Sequence, residues 1–389
     1  MNTQQLPSGI DSPAYVLEQD KFEKNLALIR SVAERSGANI ILAFKAFAMW
    51  KTFNIVRSYV RESTASSLWE ARMAYEEMGA LAHTYSPVYK EEEMGELLRL
   101  SSHLTFNSLS QYHRFVDSRG NCPLLEKIDH PVSFGLRVNP GYSPVETELY
   151  NPCGAGTRFG VRREELGDHL PKGIEGLHVH ALCEGRSQDL AHLLEAIETQ
   201  FGNLLSQLKW INLGGGHLMT HKEYDVEHLI DTLLRFRERR PHLKVILEPG
   251  SAFAWQTGYL YSTVVDIVED KGIKTAILDV SFTCHMPDCL EMPYKPTIRA
   301  AYQEAQPGKP TYRMGGCSCL AGDYIGDWSF DNPLKVGDRI IFEDMCHYTT
   351  VKTTMFNGVR HPSLYIKRPD DSYELLRCYT YEDYKSRMD

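Results

Sequence analysis

The chain has 389 residues, 42 Lys and Arg against 51 Asp and Glu, a formal net charge of -9, and 42% hydrophobic and 24% charged residues. That length exceeds one ordinary core and predicts two domains, while the acidic balance argues against a nucleic-acid partner and suits a cationic one. No eighteen apolar residues run together and the start, MNTQQLPSGIDSP, lacks a basic-then-apolar leader, so the expectation is a cytoplasmic protein without a membrane partner.

In chain order, 12–17 reads as a short strand, and Phe22, Leu26, Ile29 and Ala33 then recur at helical spacing until Gly37. Next comes Asn39-Ile-Ile-Leu-Ala-Phe-Lys-Ala-Phe-Ala-Met-Trp50, a run buried on both faces in the manner of a parallel-sheet strand, with one lysine, Lys45, inside it. Apolar or β-branched runs follow at 63–66, 84–87, 104–107, 132–138, 176–181, 210–213 and 245–248, separated by helical patterns such as 68–78 and 190–198. Eight alternations predict an α/β fold, a (β/α)8 barrel over 18–250. After Gly250 the pattern changes to strands at 259–267, 275–280, 311–314, 339–343 and 363–366, a second, β-rich domain of 251–389 that 1–17 is expected to join.

Barrel chemistry sits past the C-terminal ends of the strands, and the unusual residues fall there. Lys45 follows strand one, Arg137 ends strand five, His178 and His180 lie on strand six, Gly214-Gly-Gly216 follows strand seven and Glu248 closes strand eight. Desolvating an ammonium costs several kcal/mol, so such a lysine is paired, neutralised, snorkelling to solvent, or converted to an uncharged imine with a carbonyl cofactor such as pyridoxal phosphate. Three glycines make either a plain tight turn or a cradle for a phosphate. Glu248 is either satisfied by barrel hydrogen bonds or placed to keep a pyridine nitrogen protonated.

His178 and His180 share a strand face, but further metal ligands would have to come from Glu248, Cys183 or His285 with no second matching pair, so no metal is expected. The nine cysteines are an odd count without Cys-x2-Cys pairs and are expected to be reduced. In the second domain, Gly315-Gly-Cys-Ser-Cys-Leu-Ala-Gly-Asp323 sets thiols in a glycine-rich turn, where a thiol can donate a proton or simply be buried and inert. Asp279, Asp288 and Glu291 can hold substrate amines or be ordinary surface carboxylates, and Tyr348 can reach a phosphate oxygen.

Ala43-Phe-Lys-Ala46, the stretches 177–184, 212–217 and 248–250, Cys284-His-Met-Pro-Asp-Cys-Leu-Glu-Met-Pro-Tyr294, 318–323 and 347–358 together resemble the pyridoxal-phosphate-dependent decarboxylases with an alanine-racemase-type barrel. That family acts on ornithine, arginine or diaminopimelate. The longer motifs resemble its branch acting on carboxynorspermidine and carboxyspermidine in polyamine biosynthesis. The resemblance spans nearly the whole chain. It implies that Lys45 binds the cofactor covalently, His178 stacks on its ring, Glu248 pairs with the ring nitrogen and borders the substrate, and Gly214, Gly215, Gly216 and Tyr348 hold the phosphate. It further implies that Cys319 returns a proton after CO2 leaves, that Asp279, Asp288 and Asp323 contact a cationic carboxylated triamine, and that a homodimer shares its active sites through the Cys319 and Asp323 segment. Ala181 and Leu182 depart from the ornithine enzymes' pattern, so contacts there do not carry over.

Competing readings are a diaminopimelate- or ornithine-type decarboxylase, a racemase, a non-catalytic cofactor-binding barrel, and a metal hydrolase built on His178 and His180. Glu248 opposes the racemase, which usually places an arginine there, and residues 251–389 oppose the bare barrel.

Overall fold

The computed structural model describes residues 9–389, so the first eight residues of the segment expected to join the β-rich domain lie outside it. Two compact units form, one of residues 25–253 and one of residues up to 24 with 254–389.

The first unit is a parallel barrel. Its strands are Ser63–Ala65, Ala82–Tyr85, Ser101–Phe106, Ser133–Arg137, Ile174–His178, Trp210–Asn212 and Lys244–Leu247, each paired with the next. The first strand comes in two pieces either side of Ile41: Asn39–Ile40 pairs with the eighth strand and Leu42–Ala43 with the second, which closes the ring. Lys45 therefore stands in the turn just past the first strand, while Phe44 and Phe47, expected in the strand, are buried beyond its end.

Helices pack outside where the apolar periodicity places them. Gln19–Ser36 buries Phe22, Leu26, Ile29 and Val32 and ends at Gly37, whose φ of +67° suits a residue without a Cβ. The expected helix 68–78 is α-helical over Leu68–Met73 and widens to a π turn over Ala74–Met78. Between the fifth and sixth strands no long helix forms. That segment contains Pro140, Gly141, Pro144, Pro152, Gly154, Gly156 and Gly160, and it holds only the short turns Glu148–Tyr150 and Arg163–Glu165.

The N-terminal end of the barrel is plugged. Trp210 lies across Gly135 and Gly176, where a Cβ at Gly176 would fall 2.0 Å from its ring, and its Nε1 donates to Ser133 Oγ at 2.8 Å. His83 and His103 stack at 4.0 Å beside it. With that end filled, the space for chemistry is at the opposite, C-terminal mouth.

The second unit is an eight-stranded sheet. Its order is Tyr324–Ser329, Thr311–Gly315, Ile273–Leu278, Gly258–Asp270, Ala14–Glu18, Ser363–Lys367 and Tyr373–Arg377, with Arg339–Glu343 also on the long Gly258–Asp270 strand. The N-terminal strand lies between two C-terminal ones, antiparallel to one and parallel to the other. Ala14, Val16, Tyr259, Tyr261, Ile341 and Tyr365 form a core cluster there. Tyr324–Ser329 and Tyr373–Arg377 were not legible as strands: Gly326-Asp327 breaks the alternation of one, and Glu374 and Leu375 are exposed in the other. No helix among the described residues is long and apolar enough to cross a membrane.

Candidate active site

The barrel brings Lys45, Arg137, His178, His180, Gly214, Gly215, Gly216 and Glu248 to the C-terminal ends of strands one, five, six, seven and eight. Lys45 Nζ is 3.4 Å from His180 Nε2. The lysine side chain is accessible, yet the surrounding barrel strips away bulk water and lowers its pKa; Glu248 opposes that fall and Arg137 adds to it. A depressed lysine holds more of its amine in the neutral, nucleophilic form.

Glu248 is 7% exposed. Its Oε1 accepts from Asn212 Nδ2 at 2.6 Å and its Oε2 faces His178 Nε2 at 3.2 Å. Burial pushes the carboxyl up, but the facing His178 and Asn212 outweigh it and hold it down to about 2. Burial pulls His178 below the ordinary imidazole value, and Nδ1 of that ring has no hydrogen-bond partner among the described residues.

His180 is pulled well below its ordinary value by burial and by the positive charges of Lys45 and Arg137. Its Nδ1 accepts from the Gly215 amide at 2.8 Å, so it is the neutral ring that faces the lysine. Arg137 is buried, donates to Tyr85 Oη at 2.6 Å and to the His180 carbonyl at 3.1 Å, and lies between the rings of Tyr85 and Phe159 at 4.7 and 4.4 Å.

The glycine turn is a close approach. A Cβ at Gly216 would sit 2.3 Å from the Leu182 carbonyl and one at Gly215 2.6 Å from that of Glu248. Gly214 donates its amide to Asn212 Oδ1 at 2.9 Å and Gly215 to His180, while the Gly216 amide is engaged by neither. The expected phosphate cradle is thus partly committed to ordering the mouth. Glu70, missed in the sequence, also belongs here: burial raises its carboxyl and it acts electrostatically on Lys45. Ser67 and Glu70 form a capping pair at the start of Leu68–Met73, with Glu70 Oε2 accepting from Ser66 N at 2.7 Å, and that Ser-x-x-Glu pattern was the available signal.

In the β-rich unit the expected residues fall into three groups. Cys319 is exposed, on the same loop as Asp323. Asp323 is buried, with Oδ1 accepting from the amides of Phe282 and Thr283 at 2.7 and 3.3 Å and Oδ2 from Ser318 at 3.0 Å. Asp288 and Glu291 both meet Lys352 Nζ at 2.6 Å, and that ammonium lies over the half-buried Tyr348 ring. Asp279 stands apart, with Oδ2 accepting from Ser12 Oγ at 2.6 Å and Oδ1 from Thr263 N at 2.8 Å. Among the described residues no group of three or more His, Cys, Asp or Glu could hold a metal ion, and all nine cysteines are free thiols.

The family model described as pyridoxal-dependent decarboxylase, C-terminal sheet domain, matches residues 15–346. The chain belongs to the pyridoxal-dependent decarboxylases. This decarboxylase is 49% identical over 381 residues to the carboxyaminopropylagmatine decarboxylase of Synechocystis sp., covering 98% of this chain and 96% of that one. It is 42% identical to the carboxynorspermidine/carboxyspermidine decarboxylase of Campylobacter jejuni, covering 97% and 98% of the two chains. The crystal structure of carboxynorspermidine decarboxylase complexed with norspermidine, from Campylobacter jejuni, matches with a TM-score of 0.88 at 41% identity, covering 97% of this chain and 100% of that one.

Pyridoxal phosphate is the decarboxylase's cofactor, and the barrel mouth fits it. An accessible amine of lowered pKa, an ionised carboxylate that can accept from a protonated ring nitrogen and a glycine turn with no room for a Cβ are the groups that an aldehyde, a pyridine and a phosphate require.

Proposed function

We propose that this decarboxylase removes the α-carboxylate of a carboxylated linear triamine, carboxynorspermidine or carboxyspermidine, giving norspermidine or spermidine. The observation that carries this is full-length similarity, 42% over 97% of the chain, to a relative named for those two substrates. Pyridoxal phosphate, when bound, supplies a sink for the electron pair left as CO2 departs.

The residue roles are part of the proposal. Lys45 holds the cofactor covalently, Glu248 faces its ring nitrogen and keeps a proton there, and His178 stacks on its ring. Gly214, Gly215, Gly216 and Tyr348 hold the phosphate, and Cys319 delivers a proton to the carbon that lost the carboxylate. Of the three aspartates expected at the substrate, Asp288 is the candidate for the distal amine, because with Glu291 it already faces an ammonium, that of Lys352. Asp279 and Asp323 have both oxygens engaged within their own unit. The enzyme acts in the cytoplasm as a homodimer in which the Cys319 segment of one copy serves the barrel mouth of the other.

A second reading shares the chemistry and changes the tail. The 49% identity to the carboxyaminopropylagmatine decarboxylase favours a substrate ending in a guanidinium rather than an ammonium. Neighbouring chain lengths differ by one methylene, worth about 1 to 3 kcal/mol in a pocket, whereas a guanidinium demands a different set of acceptors. Measuring CO2 release from both carboxytriamines, carboxyaminopropylagmatine, diaminopimelate and ornithine separates the readings. Release from a carboxytriamine supports the first, preference for the agmatine derivative the second, and release from ornithine or diaminopimelate alone refutes both.

A further inference from the structure

Three segments of the β-rich unit, 281–285, 316–323 and 354–358, are tied to one another in a closed hydrogen-bonded circuit. Asp323 fastens the second to the first by accepting from the amides of Phe282 and Thr283. Cys284 fastens the first to the third, its carbonyl accepting from Thr354 N at 2.9 Å and its thiol donating to the Phe356 carbonyl at 3.7 Å. Asn357 closes the circuit: its Oδ1 accepts from the backbone amide of Cys319 at 2.9 Å.

The amides around Cys319 are accounted for one by one. Gly316 donates to the Asp323 carbonyl, Cys317 to that of Val280, Ser318 to Asp323 Oδ2 and Leu320 to Ser318 Oγ. Cys319 alone of these five is held by a side chain from outside its own loop. That side chain sits in unusual backbone. Asn357 has φ +57° and ψ +13°, the left-handed region that asparagine tolerates better than other residues with a Cβ, and it interrupts the turn Phe356–Gly358. Both Asn357 and Cys319 are exposed, so this hydrogen bond buries nothing and fills no core. A left-handed residue maintained at the surface to reach one amide of a thiol-bearing loop is a constraint on where that thiol stands.

We infer that Asn357 is a positioning residue for Cys319, fixing the loop so that the thiol is presented at one place and in one orientation. The inference rests on the proposed role of Cys319 as the proton donor. Proton transfer needs heavy atoms at about 2.6 to 3.2 Å, and a misplacement of order 1 Å costs about a hundredfold in rate. Releasing the Cys319 amide therefore acts on turnover and leaves substrate binding alone.

The experiment compares N357A, N357G and N357D holoenzymes with C319S, reading kcat and KM for CO2 release and the rate at which iodoacetamide alkylates Cys319, followed by peptide mapping. Glycine keeps the left-handed backbone and removes the acceptor; aspartate keeps the acceptor. The expected result is that N357A and N357G lose about tenfold or more in kcat with KM within about twofold. Their Cys319 alkylation rate shifts by a similar factor, and N357D restores both. If N357G behaves as the parent while N357A does not, the residue serves backbone conformation only and the inference fails. It fails equally if C319S loses turnover while both Asn357 variants keep the parent's kcat and alkylation rate. Full turnover in C319S would instead refute the proton-donor role on which the inference rests.

Discussion

Nε2 of His178 faces Oε2 of Glu248 across 3.2 Å, joining the ends of the sixth and eighth barrel strands. The contact and the Asn212 hydrogen bond keep the carboxylate ionised although it is nearly sealed from solvent, with its pKa held down to about 2. An ionised acid at that point is what a protonated ring nitrogen needs opposite it. Glu248→Gln keeps the shape and removes the charge. It is expected to lower kcat by about a hundredfold or more while the visible absorbance of the bound cofactor remains. Glu248 itself contributes no limb to the pH-rate profile at mildly acidic pH.

The plugged end of the barrel makes a different pH prediction. Glu62 is held down to about 2 by His83, 3.4 Å away, and by the amide of Asn39, against the opposing effect of burial. A carboxylate depressed in the folded state adds stability above its unfolded pKa, near 4.3, and that stability is lost as the pH falls through the folded value. Glu62→Gln should therefore lower Tm by about 1 to 3 °C at pH 7, the side chain being partly exposed and screened. Scanning calorimetry should show this difference closing as the pH is taken below 4.3 towards 2; a constant difference across that range would refute it.

Gly216 has φ +86° and no space for a Cβ beside the Leu182 carbonyl, 2.3 Å away. Gly216→Ala must move the turn, and it is expected to weaken cofactor retention by about tenfold or more on dialysis. Gly167→Ala, where a Cβ would meet nothing within 4 Å, should leave retention and Tm as they are.

If the Cys319 segment serves the partner's barrel, inactive K45A and inactive C319A chains should complement each other. Random mixing in equal amounts puts half the chains in mixed dimers with one intact site of two, so about a quarter of the parent activity returns. No recovery despite subunit exchange, shown by size-exclusion chromatography of tagged chains, would refute the shared site.

Much of this was legible because closed barrels repeat one local rule. Most of the eight strands carry a short apolar or β-branched run, and Lys45, His178, Gly214 to Gly216 and Glu248 each stand at the C-terminal end of one. What the sequence hid depended on contacts distant along the chain. Glu70 looks like a helix-surface carboxylate until folding brings its charge to act on Lys45. The commitment of the Gly215 amide to His180 joins residues 35 positions apart, and that of Asn357 to Cys319 joins residues 38 apart. The lysine's low pKa likewise depends on distant contacts, since it comes from burial in the surrounding barrel and from Arg137, with Glu248 opposing.

The central claim is that Lys45 carries the cofactor. Borohydride reduction of the purified holoenzyme, followed by proteolysis and mass spectrometry, locates the attachment directly. The account predicts a pyridoxyl group on the peptide containing Lys45 and none on that peptide from K45A. A group found on another lysine, or full turnover by K45A, would contradict it.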